Sequence, residues 1–500
     1  MKKLLTLSLF LLFINASLLS QTQFQNFINY ANSISDSLQK NAVIDSFINH
    51  HKSIRIPIAE DNYAIFLYKG NTKTVSVAGD FNGWQTNFLM TRVSKSNFFY
   101  ATKIFEPNAR LDYKIVLNNT NWYLDPLNPN TCTGGYGPNS ELAMPDYIQP
   151  KEIKYDGTIP HGKIEQKTII STNASATYQL KIYLPPDYNP VGDKVYPTVY
   201  FQDGFEYIDL AGAVNVLDNL IAAKKIEKVI AVFVKPNNRN EEYALTKRTQ
   251  YRLFFVKELV LFIDSLYKTE QTAKRRLVLG DSYGGNISAL ICYYHPEIFG
   301  NCGLHSGAFQ ENNYEAYNLF ISSPKKDVKF SMVWGTYEPL YPNMRKFRDS
   351  LGLIGYDCNW SELPEGHSWG LWRANIDFML EYFFPFTATG VDEGLIIQPN
   401  KFELYQNYPN PFNPSTVISW QLAIGSHVSL IIYDILGKEI VTLVNEEKQA
   451  GKHQINFNTQ RTSNSAFWGI QLSSGIYLCE LRAGSAESGF IQTKKMVVLK

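Results

Sequence analysis

Between residues 153 and 386, four short apolar runs (194–201, 228–234, 276–279 and 328–334) alternate with stretches such as 251–267, whose apolar residues fall on one helical face. Short runs without polar alternation are strands covered on both faces, and one-sided helices are what covers them. The alternation predicts a mostly parallel sheet with helices on both faces. On either side the period changes. Residues 22–55 read as helical, with Phe24, Phe27, Ile28, Ala31, Ile34 and Leu38 at three- and four-residue spacing. Residues 56–148 hold alternating segments (63–68, 74–78, 98–104, 112–116) cut by Gly and Asn turns, which predicts a small β-sandwich. A looser stretch, 387–400, leads to a last β-rich block, 401–500. The expected organisation is an α/β domain flanked by two small all-β sandwich domains. A chain of 500 residues has room for it.

The amino terminus sets the compartment. Met1-Lys2-Lys3, an apolar run over 4–19 and Ser20 form the pattern of a secretory signal peptide, residues 1–20, with cleavage near Ser20–Gln21. The run is short for a spanning helix, and no later stretch approaches twenty uninterrupted apolar residues, so no stable membrane insertion is expected. Lys plus Arg is 47 against 46 Asp plus Glu, a net charge of +1 that gives no electropositive footprint for nucleic acid. The five cysteines, Cys132, Cys292, Cys302, Cys358 and Cys479, are scattered and contain no CxxC pair. Neither a disulfide scaffold nor a zinc site is indicated, and buried free thiols are expected.

Gly280-Asp281-Ser282-Tyr283-Gly284 follows the run 276–279 and precedes a helical pattern through Ile287, Leu290 and Ile291. This strand–turn–helix context is what a nucleophile elbow requires, with glycines where side chains would clash across a sharp turn. A serine hydroxyl is a poor nucleophile at neutral pH and needs a base and an orienting acid. Four histidines fall in the α/β region. His161 precedes the serine, contrary to the usual chain order of Ser, acid, His. His295 sits at a helix end before Pro296, and His305 follows a hydrophobic strand as a structural histidine would. His367, in Glu365-Gly366-His367-Ser368-Trp369-Gly370 before the final helix, suits the base. For the acid, Glu338 follows the run 328–334 and so lies at the carboxyl end of a strand, where catalytic side chains of open α/β sheets gather. Asp349 is the runner-up, and Glu365 reads as a solvated loop residue. Oxyanion donors are expected from the backbone amide of Tyr283 and from Gly204 or Phe205 in the loop after 194–201. Asn237, Asn238 and Arg239 either recognise polar groups of a substrate or form a plain turn. Trp369 is a further candidate for substrate contact.

Residues 153–386 resemble the esterase family that includes ferric-enterobactin esterase, esterase D, feruloyl esterases and the mycolyltransferases. The resemblance is carried by Tyr196-Pro197-Thr198-Val199-Tyr200-Phe201-Gln202-Asp203-Gly204, Gly280 to Gly285, His295-Pro296-Glu297-Ile298-Phe299-Gly300, and Gly366-His367-Ser368-Trp369 with Trp372-Arg373. It implies an α/β-hydrolase fold, a Ser–His–acid triad and no metal or organic cofactor. Many relatives carry Met where this chain has Tyr283. Val77-Ala78-Gly79-Asp80-Phe81-Asn82-Gly83-Trp84, with Asp112-Tyr113-Lys114 and Asp125-Pro126, is similar to the glycogen-binding-type (early-set) module. Trp84 and Trp122 there either stack on sugars or simply pack over turns. The segment Phe402 to Thr416, with its Asn-Pro-Phe-Asn-Pro core, then Tyr433-Asp434-Ile435-Leu436-Gly437-Lys438, Ser474-Gly475-Ile476-Tyr477 and Lys494-Lys495-Met496, resembles a type IX secretion sorting domain.

These readings together predict a secreted or surface-exposed serine carboxylic-ester hydrolase. Its expected partners are an ester substrate and, through residues 401–500, the type IX export machinery. Two substrate classes compete: feruloyl or acetyl esters on polysaccharide, and catecholate-siderophore esters. A different reading, a non-catalytic surface protein that binds carbohydrate through an esterase-like fold, has the intact Ser282, Glu338 and His367 set against it.

Overall fold

The computed structural model describes residues 23–135, 137–387, 402–407, 409–459, 468–469, 472–484 and 489–499. The expected signal peptide and all of the expected linker except Thr387 lie outside them. The chain divides into two compact units, residues 1–386 and 387–500.

The first unit begins with helices Gln23–Ser33 and Ser37–Lys52, the second opened by Asp36, whose carboxylate accepts the Gln39 N–H at 2.7 Å. They cover one face of a four-stranded sheet through Phe24, Ile28, Ile44 and Ile48. Strand Tyr63–Lys69 shows the logic. Ile65 and Leu67 turn toward the helices, while Ala64 and Phe66 turn toward a five-stranded sheet built on Arg110–Leu117. Between the two sheets lie Phe66, Val77, Leu111, Tyr113, Ile115 and Leu142.

An eight-stranded sheet follows: β1 Lys163–Ser171, β2 Ala176–Leu184, β3 Thr198–Phe201, β4 Ile230–Lys235, β5 Arg276–Asp281, β6 Asn301–His305, β7 Lys329–Gly335 and β8 Cys358–Leu363. The spatial order is β1-β2-β4-β3-β5-β6-β7-β8. β1 and β2 pair antiparallel, as do β2 and β4; every later pair is parallel. Alternate residues serve opposite faces. Tyr200, Val232, Val278, Leu304 and Met332 pack under the helices Tyr283–Tyr294 and Tyr341–Ile354, among others. Val199, Phe201, Phe233, Leu277 and Leu279 pack under Ala213–Ala222 and Ile376–Phe383. Burial on both faces is why these strands read as unbroken apolar runs.

The stretch read as one helix over 251–267 is helical from Arg248 to Leu266, with a π-helical turn at Phe255–Leu259. The wider turn falls where three consecutive residues, Phe254, Phe255 and Val256, all face the core. In the second unit two four-stranded sheets enclose Ile418, Trp420, Val428, Leu430, Ile432, Leu481 and Met496.

Candidate active site

The carboxyl ends of β3, β5, β6, β7 and β8 lie along one edge of the sheet, and the loops leaving that edge carry the candidate residues. Ser282 connects β5 to the helix Tyr283–Tyr294 with φ 53° and ψ −115°, a conformation L-residues rarely hold. The surrounding bonds enforce it. Its N–H donates to the His305 carbonyl at 2.8 Å, and its own carbonyl accepts the Ala308 N–H at 2.9 Å. A Cβ on Gly280 would lie 2.5 Å from the Gly284 backbone and 2.8 Å from Gln202 Cβ, so that position has no room for a side chain.

His367 and Glu338 form a pair. Nδ1 of the ring lies 2.7 Å from Glu338 Oε2, and Glu338 is 2% exposed. With Nδ1–H donating to the carboxylate, Nε2 is left as the ring's acceptor. Contacts run from this ring to the serine turn. The His367 ring meets Trp372 edge-on, with centroids 5.1 Å apart. Trp372 Nε1 donates to Ser306 Oγ at 3.1 Å, and Ser306 directly follows His305, the residue that accepts the Ser282 N–H. The structure thus gathers Ser282, His367 and Glu338 at one edge. Asp349, by contrast, is exposed and paired with Arg348.

The turn Gln202-Asp203-Gly204 lies against the serine turn, since a Cβ on Gly284 would sit 3.1 Å from the Asp203 carboxylate. Helix Gly204–Asp209 starts there, with Asp203 at φ 52°. The first amides of a helix have no intrahelical acceptor, so Gly204 and Phe205 on one side and Tyr283 on the other present N–H groups at adjoining helix starts. A Cβ on Gly204 would lie 2.4 Å from Phe233 Cα. Below the turns, Arg239 Nε reaches both Asp203 oxygens at 2.8 and 2.9 Å, and its Nη2 lies 3.3 Å from Asp281 Oδ2. Burial raises the carboxyls of Asp203 and Asp281, the latter further because Asp203 stands beside it, while Arg239 opposes both rises.

Arg239 is therefore held by two buried acids under the serine turn. Asn238 Oδ1 caps helix Arg239–Tyr243 by accepting the Glu241 N–H, and Asn237 Nδ2 donates to the Thr177 carbonyl. Trp369 is buried edge-on between Tyr207 and Trp372. His305 is fully buried, with Nδ1 2.8 Å from the Tyr207 hydroxyl, and burial lowers its imidazole to about 4. His295 lies 2.7 Å from Arg252 Nη1 through Nε2, and His161 lies 2.9 Å from Asp218 through Nδ1. Glu365, read from sequence as solvated, is 3% exposed. The amino-terminal sheets supply the cover. Sequence reasoning also missed Ser306 and Trp372, which connect the histidine to the serine turn. Trp84 donates its indole N–H to Asp80 Oδ1 at 3.1 Å, whereas Trp122 is 42% exposed.

Residues 171–383 match the sequence profile of the family described as "Putative esterase". That stretch is an esterase domain of this family. Residues 406–499 match a secretion system C-terminal sorting domain. YjcH of Bacillus subtilis is 27% identical over 227 residues, 43% of this chain and 94% of that protein. An endo-1,4-beta-xylanase/feruloyl esterase of Xylanibacter ruminicola is 30% identical over 243 residues, 46% of this chain but 32% of that protein. Among solved structures, the enterobactin esterase of Shigella flexneri superposes with TM-score 0.56 at 18% identity, covering 65% of this chain and 94% of that one. The ferric enterobactin esterase of Salmonella typhimurium gives 0.56 at 16% identity, covering 65% and 95%. Both structural likenesses concern the fold, and they take in more of the chain than the esterase domain alone. The sorting domain indicates secretion or display at the cell surface, and among the described residues no helix is long and apolar enough to cross a membrane.

Proposed function

We propose that this chain is an exported serine carboxylic-ester hydrolase of α/β-hydrolase topology, working through an acyl-enzyme. The observation that carries the reading is the 2.7 Å His367–Glu338 pair on the same sheet edge as the strained Ser282 turn. Ser282 Oγ attacks the ester carbonyl carbon while His367 Nε2 takes its proton. Glu338 holds the ring with Nδ1–H toward itself and stabilises the imidazolium. The amides of Tyr283 and of Gly204 or Phe205 receive the developing oxyanion, each such donor being worth about 3–4 kcal/mol of barrier. The alkoxide leaves with the proton from His367, and a water molecule, deprotonated by the same nitrogen, releases the acid and restores the serine.

The domain organisation proposed with it is a signal peptide at 1–20, an early-set β-sandwich at 56–148, the hydrolase at 153–386 and a type IX sorting domain at 401–500. For the substrate, feruloyl or acetyl esters on polysaccharide come first, the feruloyl class being favoured by the Xylanibacter ruminicola relative. The enterobactin esterase likeness, which extends beyond the esterase domain, favours catecholate-siderophore esters as the second candidate. The test is product release from p-nitrophenyl acetate, methyl ferulate, acetylated xylan and a ferric tris-catecholate, by wild type and Ser282→Ala. Activity lost in the variant supports the reading, and the best substrate names the class. Equal rates refute it. Inactivity of both, with retained binding to xylan or glucan, transfers the chain to non-catalytic adhesion.

A further inference from the structure

The loop carrying His367 is held from outside its own sheet. Arg110, on strand Arg110–Leu117 of the amino-terminal β-domain, is completely buried. Its Nη1 donates to the hydroxyl of Ser368, the residue after the histidine, at 2.9 Å. Its backbone N–H donates to the Pro364 carbonyl at 3.1 Å, and it bridges Glu365 in parallel register. The rest of the guanidinium is fixed by the same domain. Nε and Nη2 reach Glu141 Oε2 at 2.9 and 2.6 Å, and Nη2 reaches Asp112 Oδ1 at 2.6 Å. Asp80 is held likewise, its Oδ2 accepting the Asp112 N–H at 2.7 Å and its Oδ1 the Trp84 indole.

The histidine loop carries the imprint of these two side chains. A Cβ on Gly366 would lie 2.0 Å from the Asp80 carboxyl carbon, and one on Gly370 would lie 1.9 Å from Arg110 Cζ. Neither glycine has a positive φ, so room, not backbone freedom, is what requires glycine there. The loop of the acid is touched as well. The Tyr337 hydroxyl, one residue before Glu338, donates to Glu106 Oε2 at 2.7 Å, and Tyr337 N–H donates to the Glu365 carbonyl at 3.0 Å.

We propose that Arg110 and Asp80 are positioning residues for the base, so that the amino-terminal β-domain completes the catalytic geometry of the esterase domain. The proposal rests on the reading of His367 as the base. An apolar contact would join two domains but leave the loop free to slide. A planar guanidinium forked among fixed acceptors sets the position of Ser368, and with it the neighbouring imidazole. Displacement of about 1 Å at a reacting group costs on the order of 10²-fold in rate, so a clamp of this kind bears on turnover more than on binding.

The test uses the full chain and p-nitrophenyl acetate hydrolysis. Ser368→Ala and Arg110→Lys are each expected to lower kcat by about 10–100-fold, with KM within about threefold. The double variant should be no slower than the worse single one, because both act on one bond. Ser368→Thr, which keeps the hydroxyl, should recover most of the rate. Leu142→Ala, in the core of the same β-domain but outside the clamp, should lower Tm and keep kcat within about twofold. Wild-type kcat in Ser368→Ala overturns the proposal whether or not Arg110→Lys folds. A kcat loss in Leu142→Ala equal to that in Ser368→Ala overturns it too, reducing the domain to general support. Ser282→Ala separates the two levels: if it stays active, the clamp falls with the catalytic reading, whereas an inactive Ser282→Ala beside a fully active Ser368→Ala sinks the clamp alone.

Discussion

Replacing Glu365 by Gln removes a buried acid without changing its shape. Glu365 Oε2 has no hydrogen-bond partner among the described residues. Burial pushes the carboxyl from its ordinary 4.5 to about 7; Arg110 pulls against the rise and Glu141 adds to it. Between those two values the native chain keeps a proton that the unfolded chain has released. Stability therefore falls with rising pH, because the native state binds more protons than the unfolded one. The contribution is fully present below about pH 4.5 and is lost as pH climbs through about 7. At about 1.4 kcal/mol per pH unit, the loss across that window is about 3 kcal/mol. Gln cannot titrate and lacks it. Urea unfolding of wild type and Glu365→Gln, followed by tryptophan fluorescence from pH 4.5 to 8, isolates the effect, since other titrating groups are common to both chains. The stability difference, wild type minus variant, should become more negative by about 3 kcal/mol from the acid to the alkaline end. Parallel curves would show that the carboxyl is ionised throughout and that the site is wetter than its burial implies.

Two further outcomes bear on the chemistry. Glu338→Gln leaves the ring its neighbour but loses the charge that holds the productive tautomer, so kcat should fall by about 10²–10⁴-fold with KM little changed. A wild-type rate with p-nitrophenyl acetate would move the acid elsewhere. Gly204→Ala forces a methyl into the Phe233 backbone, 2.4 Å away. It should displace the amides of Gly204 and Phe205 and cost about 10²–10³ in kcat, and a variant that folds and turns over normally would remove that turn from the oxyanion site.

What could be read along the chain was local. The strand ending at Asp281 shows as an apolar run because both its faces are covered, and the place of Glu338 just past β7 could be read from the end of that run. Two features had no local signal. Phe254, Phe255 and Val256 all point inward where the helix widens, and a regular 3.6-residue period does not mark that widening. Arg110 and Ser368 stand 258 positions apart, and nothing near either names the other. Glu365 was misread for the same reason, as a charged loop residue looks solvated until the sheet that covers it is in place. Gly366 and Gly370 held the available clue, being glycines that no tight turn required.

Those two glycines also bear on how such a chain can change through descent. On the proposed reading of His367 as base, a loop shaped to fit Asp80 and Arg110 ties the catalyst to this leading module, since an unrelated one would leave hollows beside the imidazole. Nor can the loop regain ordinary side chains while the old module stays. A recombinant that joins the two segments from separate lineages should need repair at positions 80, 110, 366 and 370 before anywhere else.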